Sequence, residues 1–197
     1  MHINSHFAVG FIFASILNHI FNFDIFEFSL IVLFSFICDF DIFFSKFAKD
    51  NNHRLLITHS IIPSVIMLLI GLIFNWTVLI ISAISYFTHI IIDTLDWGTN
   101  LLYFQQKQVG FKFLISKEEF ENLPQYLLAY KNPSSFFDAK YYNNKIFLTI
   151  EIILFILMIV MGILFAFRFL FITLLYFPFI WFHLSRHFHL QKNEKNV

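Results

Sequence analysis

Long apolar runs separated by short polar stretches make up most of this chain. A membrane-spanning α-helix needs about 20 mostly apolar residues, and six runs are long enough to qualify. These runs are Phe7 to Phe23, Ser29 to Phe47, Leu55 to Phe74, Thr77 to Leu95, Ile146 to Phe167 and Phe169 to Leu184. The pattern therefore predicts an all-α, polytopic membrane helical bundle of about six transmembrane helices that contacts the lipid bilayer.

The longest polar stretch separates the fourth run from the fifth. Ser116 and Glu119 form a capping-box pattern, and Pro124 stands where a second short helix could begin. We expect an interfacial helical segment here, with a lid over a site as the alternative. The chain then forms a single membrane domain with three parts: residues 1–98, a cytoplasmic interfacial loop at 99–145, and a C-terminal helical hairpin and tail at 146–197.

Composition supports a membrane protein and excludes a soluble globule. The chain is 58% hydrophobic and only 13% charged, whereas soluble domains average about 25% charged residues. Its formal net charge is zero, so no nucleic-acid partner is expected.

The distribution of Lys and Arg predicts the orientation of the chain, because these residues near helix ends resist translocation. With the N-terminus inside, Arg168 is the only one of the 13 Lys and Arg residues that falls outside. We therefore expect a multi-pass protein of the inner (cytoplasmic) membrane with both termini in the cytoplasm.

Acidic and imidazole side chains recur near the predicted inner ends of the first four spans, although an Asp at a helix centre costs about 2.5–3.5 kcal/mol. The candidate metal ligands are His6, Asp39, Asp41, His53, His59, His89 and Asp93. Such ligands suit Zn²⁺ first, with Mn²⁺ and Fe²⁺ as alternatives. Seven candidates exceed the three or four protein ligands that one zinc ion usually takes, so the set favours two ions with a bridging water as nucleophile.

Spacing adds local predictions about these ligands. His89 and Asp93 are four residues apart and share one helical face. Asp39 and Asp41 would point about 200° apart on a regular helix, so we predict that the second helix ends or unwinds there. Pro63, inside the predicted third span, would displace the carbonyl four residues earlier in the chain.

Three residues are candidates for a catalytic role: Asp41, Arg54 and Ser60. The planar guanidinium of Arg54 matches phosphate or carboxylate, which suits an anionic substrate; a topology-setting charge is the alternative. Ser60 would hydrogen-bond a ligand or substrate, or simply pack in its helix. His183 and His187 are also four apart, but no acid stands near them in the sequence, which favours interfacial anchoring.

At these residues the sequence resembles the YdjM-like family, described as LexA-binding, inner-membrane-associated metal-dependent hydrolases. The resemblance covers about the first half of the chain. It rests on Ser-His-Phe-Ala-Val-Gly around His6, on Asp39 and Asp41, on His53-Arg54 followed by Thr58-His59-Ser60, and on His89 through Asp93 with Gly98 soon after. The family is related to the phospholipase C and P1 nuclease superfamily of helical zinc enzymes, so the resemblance implies phosphoester hydrolysis. Cys38 stands where the family commonly has proline, and no residue here supports a LexA partner.

Three hypotheses of function follow. The first is a membrane-embedded metal-dependent hydrolase of phosphoesters, with a phospholipid or lipid-linked phosphate as substrate at the cytoplasmic face. The second is a divalent metal or proton transporter or channel that uses the same His/Asp cluster. The third is a structural membrane protein with a regulatory metal. A transport path should cross the bilayer, yet the outer halves of the helices offer few polar groups besides Asn18 and His19.

Overall fold

The computed structural model describes residues 2–104 and 107–195, and these residues are mostly helical. The α-helices are α1 (Ile3–Phe21), α2 (Ile25–Phe34), α3 (Ile62–Ile73), α4 (Thr77–Asp96), α5 (Lys117–Glu121), α6 (Leu123–Leu127), α7 (Pro133–Tyr142), α8 (Lys145–Phe165) and α9 (Tyr176–Lys195). The 3₁₀ segments are Ile37–Phe47, Lys49–Asn51, His53–Leu55, Ile57–His59 and Phe167–Leu175. An isolated antiparallel bridge pairs Thr99 with Val109.

Side-chain caps explain where several helices begin. Asp24 accepts a hydrogen bond from the Glu27 amide while the Glu27 side chain accepts one from the Asp24 amide, and this capping box starts α2. The predicted box of Ser116 and Glu119 starts α5 in the same way. The Asn144 side chain accepts from the first amides of α8. Helices are therefore present in the predicted loop between the fourth and fifth runs.

Helix α1 is at the centre of the bundle and packs against α2, α8 and α9. It runs parallel to α8, because Asn4 contacts Glu151 near the start of both helices while the Asn18 amide donates to the Phe165 carbonyl near their ends, at 2.8 Å. Gly10 packs against Ser35, which places the end of α2 beside the first half of α1.

The remaining contacts bring several helix ends together. The Ser85 hydroxyl donates to the Ile31 carbonyl and His89 Nδ1 donates to the Ser35 carbonyl, so α4 runs parallel to α2. Ring contacts of His2 with His183 and of Phe7 with Phe179 make α9 antiparallel to α1. The beginnings of α1 and α8 and the ends of α2 and α4 thus lie at one end of the bundle, which we call the polar end.

Aromatic packing forms the core below the polar end. Phe28 lies 5.3 Å from Phe11 and 4.4 Å from Phe169, measured between ring centroids. All three rings are buried. Each such ring removes a large apolar area from solvent or lipid, so this layer holds α1, α2 and the Phe167–Leu175 segment together.

The structure differs from the expected six spans. Within the described residues, four helical segments are long and apolar enough to cross a membrane, or five if a bent pair counts as one span. The four are Ile3–Phe21, Thr77–Asp96, Lys145–Phe165 and Phe167–Lys195, and the bent pair is Ile25–Phe34 with Ile37–Phe47. Helix α3 has 12 residues, which reach about 18 Å at 1.5 Å per residue, short of the roughly 30 Å hydrocarbon layer. The six-span count is therefore not confirmed.

Two predictions about irregular backbone have opposite outcomes. The predicted end of the second helix before Asp39 is confirmed: α2 stops at Phe34, and the chain bends by 44° into the Ile37–Phe47 3₁₀ segment. The predicted position of Pro63 inside a helix is wrong. Pro63 is in the first turn of α3, where its missing N–H leaves no helical bond unmade.

We predict that Gly10→Ala destabilises the bundle at the α1–α2 contact. A Cβ at residue 10 would lie 2.0 Å from the Ser35 Oγ, and overpacking of this kind costs about 1–3 kcal/mol. The melting temperature in detergent should fall, and the double variant with Ser35→Gly should recover most of the loss. An unchanged melting temperature in the single variant would contradict the close approach.

Candidate metal centre

The polar end brings donor side chains from four parts of the chain into one buried cluster. The first turns of α1 contribute His6, the Ile37–Phe47 segment contributes Asp39, and the C-terminal half of α4 contributes His89 and Asp93. These four residues form a first group whose ligand atoms lie within 4.8 Å of one another. The Ile57–His59 turn adds His59 beside them. The acidic and imidazole side chains that recur near the predicted inner ends of the first four spans are therefore neighbours in the folded chain.

The nitrogen–oxygen distances within the first group are similar to one another. His6 Nε2 lies 3.2 Å from Asp93 Oδ1, and His89 Nε2 lies 3.4 Å from Asp93 Oδ2. Asp39 Oδ1 is 3.6 Å from His89 Nε2. Ligands bound at about 2.0–2.1 Å to a tetrahedral zinc ion would be roughly 3.3–3.4 Å apart. The donors are therefore spaced for a cation of that size.

Unpartnered nitrogens provide a second test of whether a cation fits. Among the described residues, the Nε2 atoms of His6, His59 and His89 are buried and make no hydrogen bond. Leaving a buried polar atom without a partner costs about 1–3 kcal/mol. A divalent ion among these nitrogens and the neighbouring carboxylates would remove that cost, so the residues present fit a metal.

His59 connects the first group to a second one, formed by Asp41, His53 and His59. Its Nε2 lies 3.4 Å from Asp93 Oδ2, whereas its Nδ1 donates to Asp41 Oδ2 at 2.7 Å. The Nδ1 of His53 donates to the other oxygen of Asp41 at 2.9 Å. Asp41 thus orients two imidazoles, as carboxylates behind metal-binding histidines commonly do.

The surrounding charges shift the pKa values of both histidines in the 53–59 turns. Burial opposes a charge on His59, but the nearby carboxylates of Asp39, Asp41 and Asp93, of which Asp41 accepts the Nδ1 hydrogen bond, raise its pKa well above the ordinary value. Burial lowers the pKa of His53, and its hydrogen bond to Asp41 offsets only part of that effect. The two imidazoles that share Asp41 therefore differ in their affinity for a proton.

Arg54 is engaged with protein carboxylates. One guanidinium nitrogen donates to Asp96 Oδ1 at 2.8 Å, and the other lies 3.4 Å from Asp93 Oδ1. Burial opposes the charge, yet Asp93 and Asp96 raise the pKa of Arg54 further. In this arrangement Arg54 compensates the acids of α4; its expected contact with an anionic substrate stays a prediction.

Ser60 lies beside the centre without a side-chain contact to it among the described residues. Its hydroxyl donates to the Ile57 carbonyl at 2.6 Å and accepts from the Ile62 amide. The hydroxyl therefore supports the turn that leads into α3, and a contact with substrate stays a prediction.

Hydrogen bonds to backbone carbonyls hold the segments that carry these side chains in place. His89 Nδ1 donates to the Ser35 carbonyl at 2.8 Å, which directs Nε2 of the same ring toward the first group. The Thr99 hydroxyl donates to the His59 carbonyl at 2.7 Å, so Pro63 does not free that carbonyl. The Asn100 amide donates to the Arg54 carbonyl. The loop after α4 thus fastens the 53–59 turns to the helix that carries His89.

Two acids outside the set of candidate ligands complete this region. Asp96 is fully buried and pairs with Arg54. Glu151 on α8 accepts hydrogen bonds from Ser5 at 2.9 Å and from the Tyr141 hydroxyl at 2.7 Å. It anchors the turn of α1 that carries His6. A lone acid within an apolar run could have identified Glu151, because such acids are costly in a membrane.

His187 has an acidic partner, although no acid is near it in the sequence. The Nδ1 atom of His187 donates to Asp138 Oδ2 at 2.5 Å. Asp138 is on α7, almost 50 residues earlier in the chain, so spacing along the sequence gave no indication of this pair.

A family comparison agrees with the resemblance found in the sequence. The family described as YdjM inner membrane protein matches residues 1–176. That range contains every residue of the first and second groups. The chain matches no curated protein and no solved structure.

We predict that His6→Ala abolishes tight metal binding while His19→Ala leaves it intact. Both histidines are on α1, but His19 is exposed near the other end of the helix. Metal content after loading with Zn²⁺ or Mn²⁺ should be measured by mass spectrometry on detergent-purified protein. Equal metal content in the two variants would argue against the first group as a metal site.

A separate variant tests the number of ions. If Asp41 only orients His53 and His59, Asp41→Asn should keep the metal stoichiometry and weaken affinity by about 10–100-fold. If Asp41 is a ligand in a two-ion centre, the stoichiometry should fall from about two to about one. Titration of the metal-free protein with Zn²⁺ distinguishes these outcomes.

Proposed function

The chain belongs to the YdjM inner membrane protein family. From the side chains gathered at its polar end, we propose that it is a membrane-embedded, metal-dependent hydrolase of phosphoesters at the cytoplasmic membrane face. The observation that supports the proposal most directly is the first group, His6, Asp39, His89 and Asp93, with its buried nitrogens directed at one point. A divalent ion bound there, zinc before manganese or iron, would polarise a phosphoryl oxygen and acidify a water molecule.

Access to the centre is from the side of Asp39 and His53. The side chain of Asp39 is 14% exposed and that of His53 is 23% exposed, whereas those of His6, His59, His89 and Asp93 are at 0%. A reacting group would therefore approach past the second group. This one-sided opening is what an enzyme needs, because a catalytic metal keeps a position for water or substrate.

His53 is the residue best placed to move a proton. Its Nδ1 is held by Asp41, which leaves the other ring nitrogen for a reacting group. An imidazole oriented by a carboxylate is a common general acid or base. Under this proposal Asp41 positions His53 and His59, and Arg54 holds Asp93 in the ionised form that binds a cation.

An amphiphilic substrate suits the surroundings of the polar end. Phe43, Phe44 and Phe47 of the 3₁₀ segment that carries Asp39 and Asp41 are exposed, at 72%, 59% and 70%. Exposed aromatic side chains beside lysines are typical of a segment embedded in the membrane interface. A phospholipid or lipid-linked phosphate could then present its phosphate to the centre without leaving the bilayer.

One observation favours the transport alternative. Ser15 and Ser82 are buried in α1 and α4, farther from the polar end than His6 and His89. Their hydroxyls have no hydrogen-bond partner among the described residues. With Asn18 they could extend a polar path away from the centre. Proteoliposomes loaded with a zinc- or pH-sensitive dye would test this: flux that depends on His89 and Ser82 would support transport.

The hydrolase proposal predicts metal-dependent activity that His53→Gln lowers selectively. Purified protein loaded with Zn²⁺ or Mn²⁺ should hydrolyse 4-nitrophenyl phosphate, bis(4-nitrophenyl) phosphate or phospholipid vesicles, and EDTA should abolish the activity. His53→Gln should lower kcat by about 10²–10⁴-fold with metal content unchanged, while His19→Ala should match the wild type.

Two other results would change the assignment. Loss of metal in His53→Gln would make His53 a ligand instead of a proton carrier. Absence of hydrolysis of all three substrates by fully metal-loaded protein would overturn the proposed activity.

A further inference from the structure

A second cluster of nitrogen-bearing side chains lies beside the metal centre. His2 immediately precedes α1, and its carbonyl accepts from the His6 amide. Residues four apart at a helix start lie on the same face, so His2 is one turn farther toward the tip of the polar end than His6. The His183 ring of α9 stacks on His2, with ring centroids 4.0 Å apart and planes inclined by 23°.

The cluster contains a ring nitrogen that no protein group in the described part of the chain satisfies. The Nε2 atom of His2 is buried and has no hydrogen-bond partner among the described residues. The Tyr141 ring covers the imidazole at 4.0 Å without satisfying that nitrogen. A buried ring nitrogen of this kind can donate to an acceptor supplied from outside the chain.

Arg186 adds a permanent positive charge. It follows His183 by three residues on α9 and is exposed, so the two side chains are neighbours on the surface of that helix. His2 lies one helical turn from His6 and stacks on His183, so the three nitrogen-bearing side chains border the first group.

Arg54 is not free to bind a phosphate group, because its guanidinium is occupied by Asp93 and Asp96. By contrast, Arg186 forms no ion pair with any carboxylate in the part of the chain that the structure describes. A phosphate group requires positive charge and N–H donors at its oxygens, and His2, His183 and Arg186 supply both.

From these contacts we propose that His2, His183 and Arg186 form an anion-binding subsite that holds the phosphate group of the substrate next to the metal centre. The subsite rests on the proposed function for its role in turnover. A phosphomonoester carries a charge of about −1.5 to −2 near pH 7, more than a diester, so a cationic subsite favours it. The proposed substrate class is therefore a phosphomonoester, borne either by a lipid headgroup or by a soluble molecule.

Binding of inorganic phosphate tests the subsite without requiring turnover. Zinc-loaded protein in detergent should be titrated with phosphate by calorimetry, for the wild type, Arg186→Gln, His183→Gln and Lys192→Gln. Lys192 is an exposed cation on the same helix and serves as the control. Loss of a charge-assisted hydrogen bond should weaken phosphate binding by about 10–100-fold in the first two variants, with zinc content unchanged. Arg186→Lys should retain part of the affinity.

Phosphate affinity equal to that of the wild type in both Arg186→Gln and His183→Gln would overturn the subsite. Weakened binding in protein that hydrolyses nothing would support the subsite and count against the hydrolase proposal. Where hydrolysis is observed, KM should rise for phosphatidate vesicles if the substrate is a lipid, and for glycerol 3-phosphate if it is soluble. An unchanged KM for both substrates would contradict the role of the subsite in turnover.

Discussion

The charge of Asp93, buried at the polar end of the bundle, is the constraint on which the rest of the centre depends. A carboxylate without compensation in such surroundings is very costly. One of its oxygens faces His6 and Arg54, and the other faces His59 and His89. These partners come from α1, from the 53–59 turns and from α4 itself, so compensation of one charge requires three separate segments to meet. A bound cation would complete that compensation.

Irregular backbone is the second consequence of placing this centre in a membrane bundle. A regular α-helix cannot direct both Asp39 and Asp41 toward the polar end, because residues two apart point about 200° apart. In the structure both residues lie on the 3₁₀ segment after α2 instead. The 53–59 turns likewise contain residues that hydropathy alone assigns to the third span, which is why α3 begins only at Ile62. Non-helical backbone at this depth is tolerated where protein surrounds it, and the loop of Thr99 and Asn100 supplies hydrogen bonds to it.

Much of the candidate centre was predictable because intramembrane ionisable residues are rare enough to be informative. His6, Asp39, His59, His89 and Asp93 were all identified from their positions in apolar runs, and all meet at the polar end. The environment of Arg54 was not predictable, because a guanidinium at a helix end has the same local pattern whether it faces substrate or a buried acid. The network around Glu151 was missed for a similar reason: its donors, Ser5 and Tyr141, are far apart in sequence.

Hydrophobic run length by itself determined that the chain is a helical membrane protein, because the bilayer requires long apolar segments whatever their partners. The ligand types and their spacing predicted a metal site, since imidazole and carboxylate side chains are rare inside membrane spans. Only the tertiary structure decided which ligands face one another, that Asp41 bridges two imidazoles, that α3 is short, and that His2 stacks on His183. Each of these depends on contacts between segments distant in the chain, and local sequence does not encode the distance between two helices.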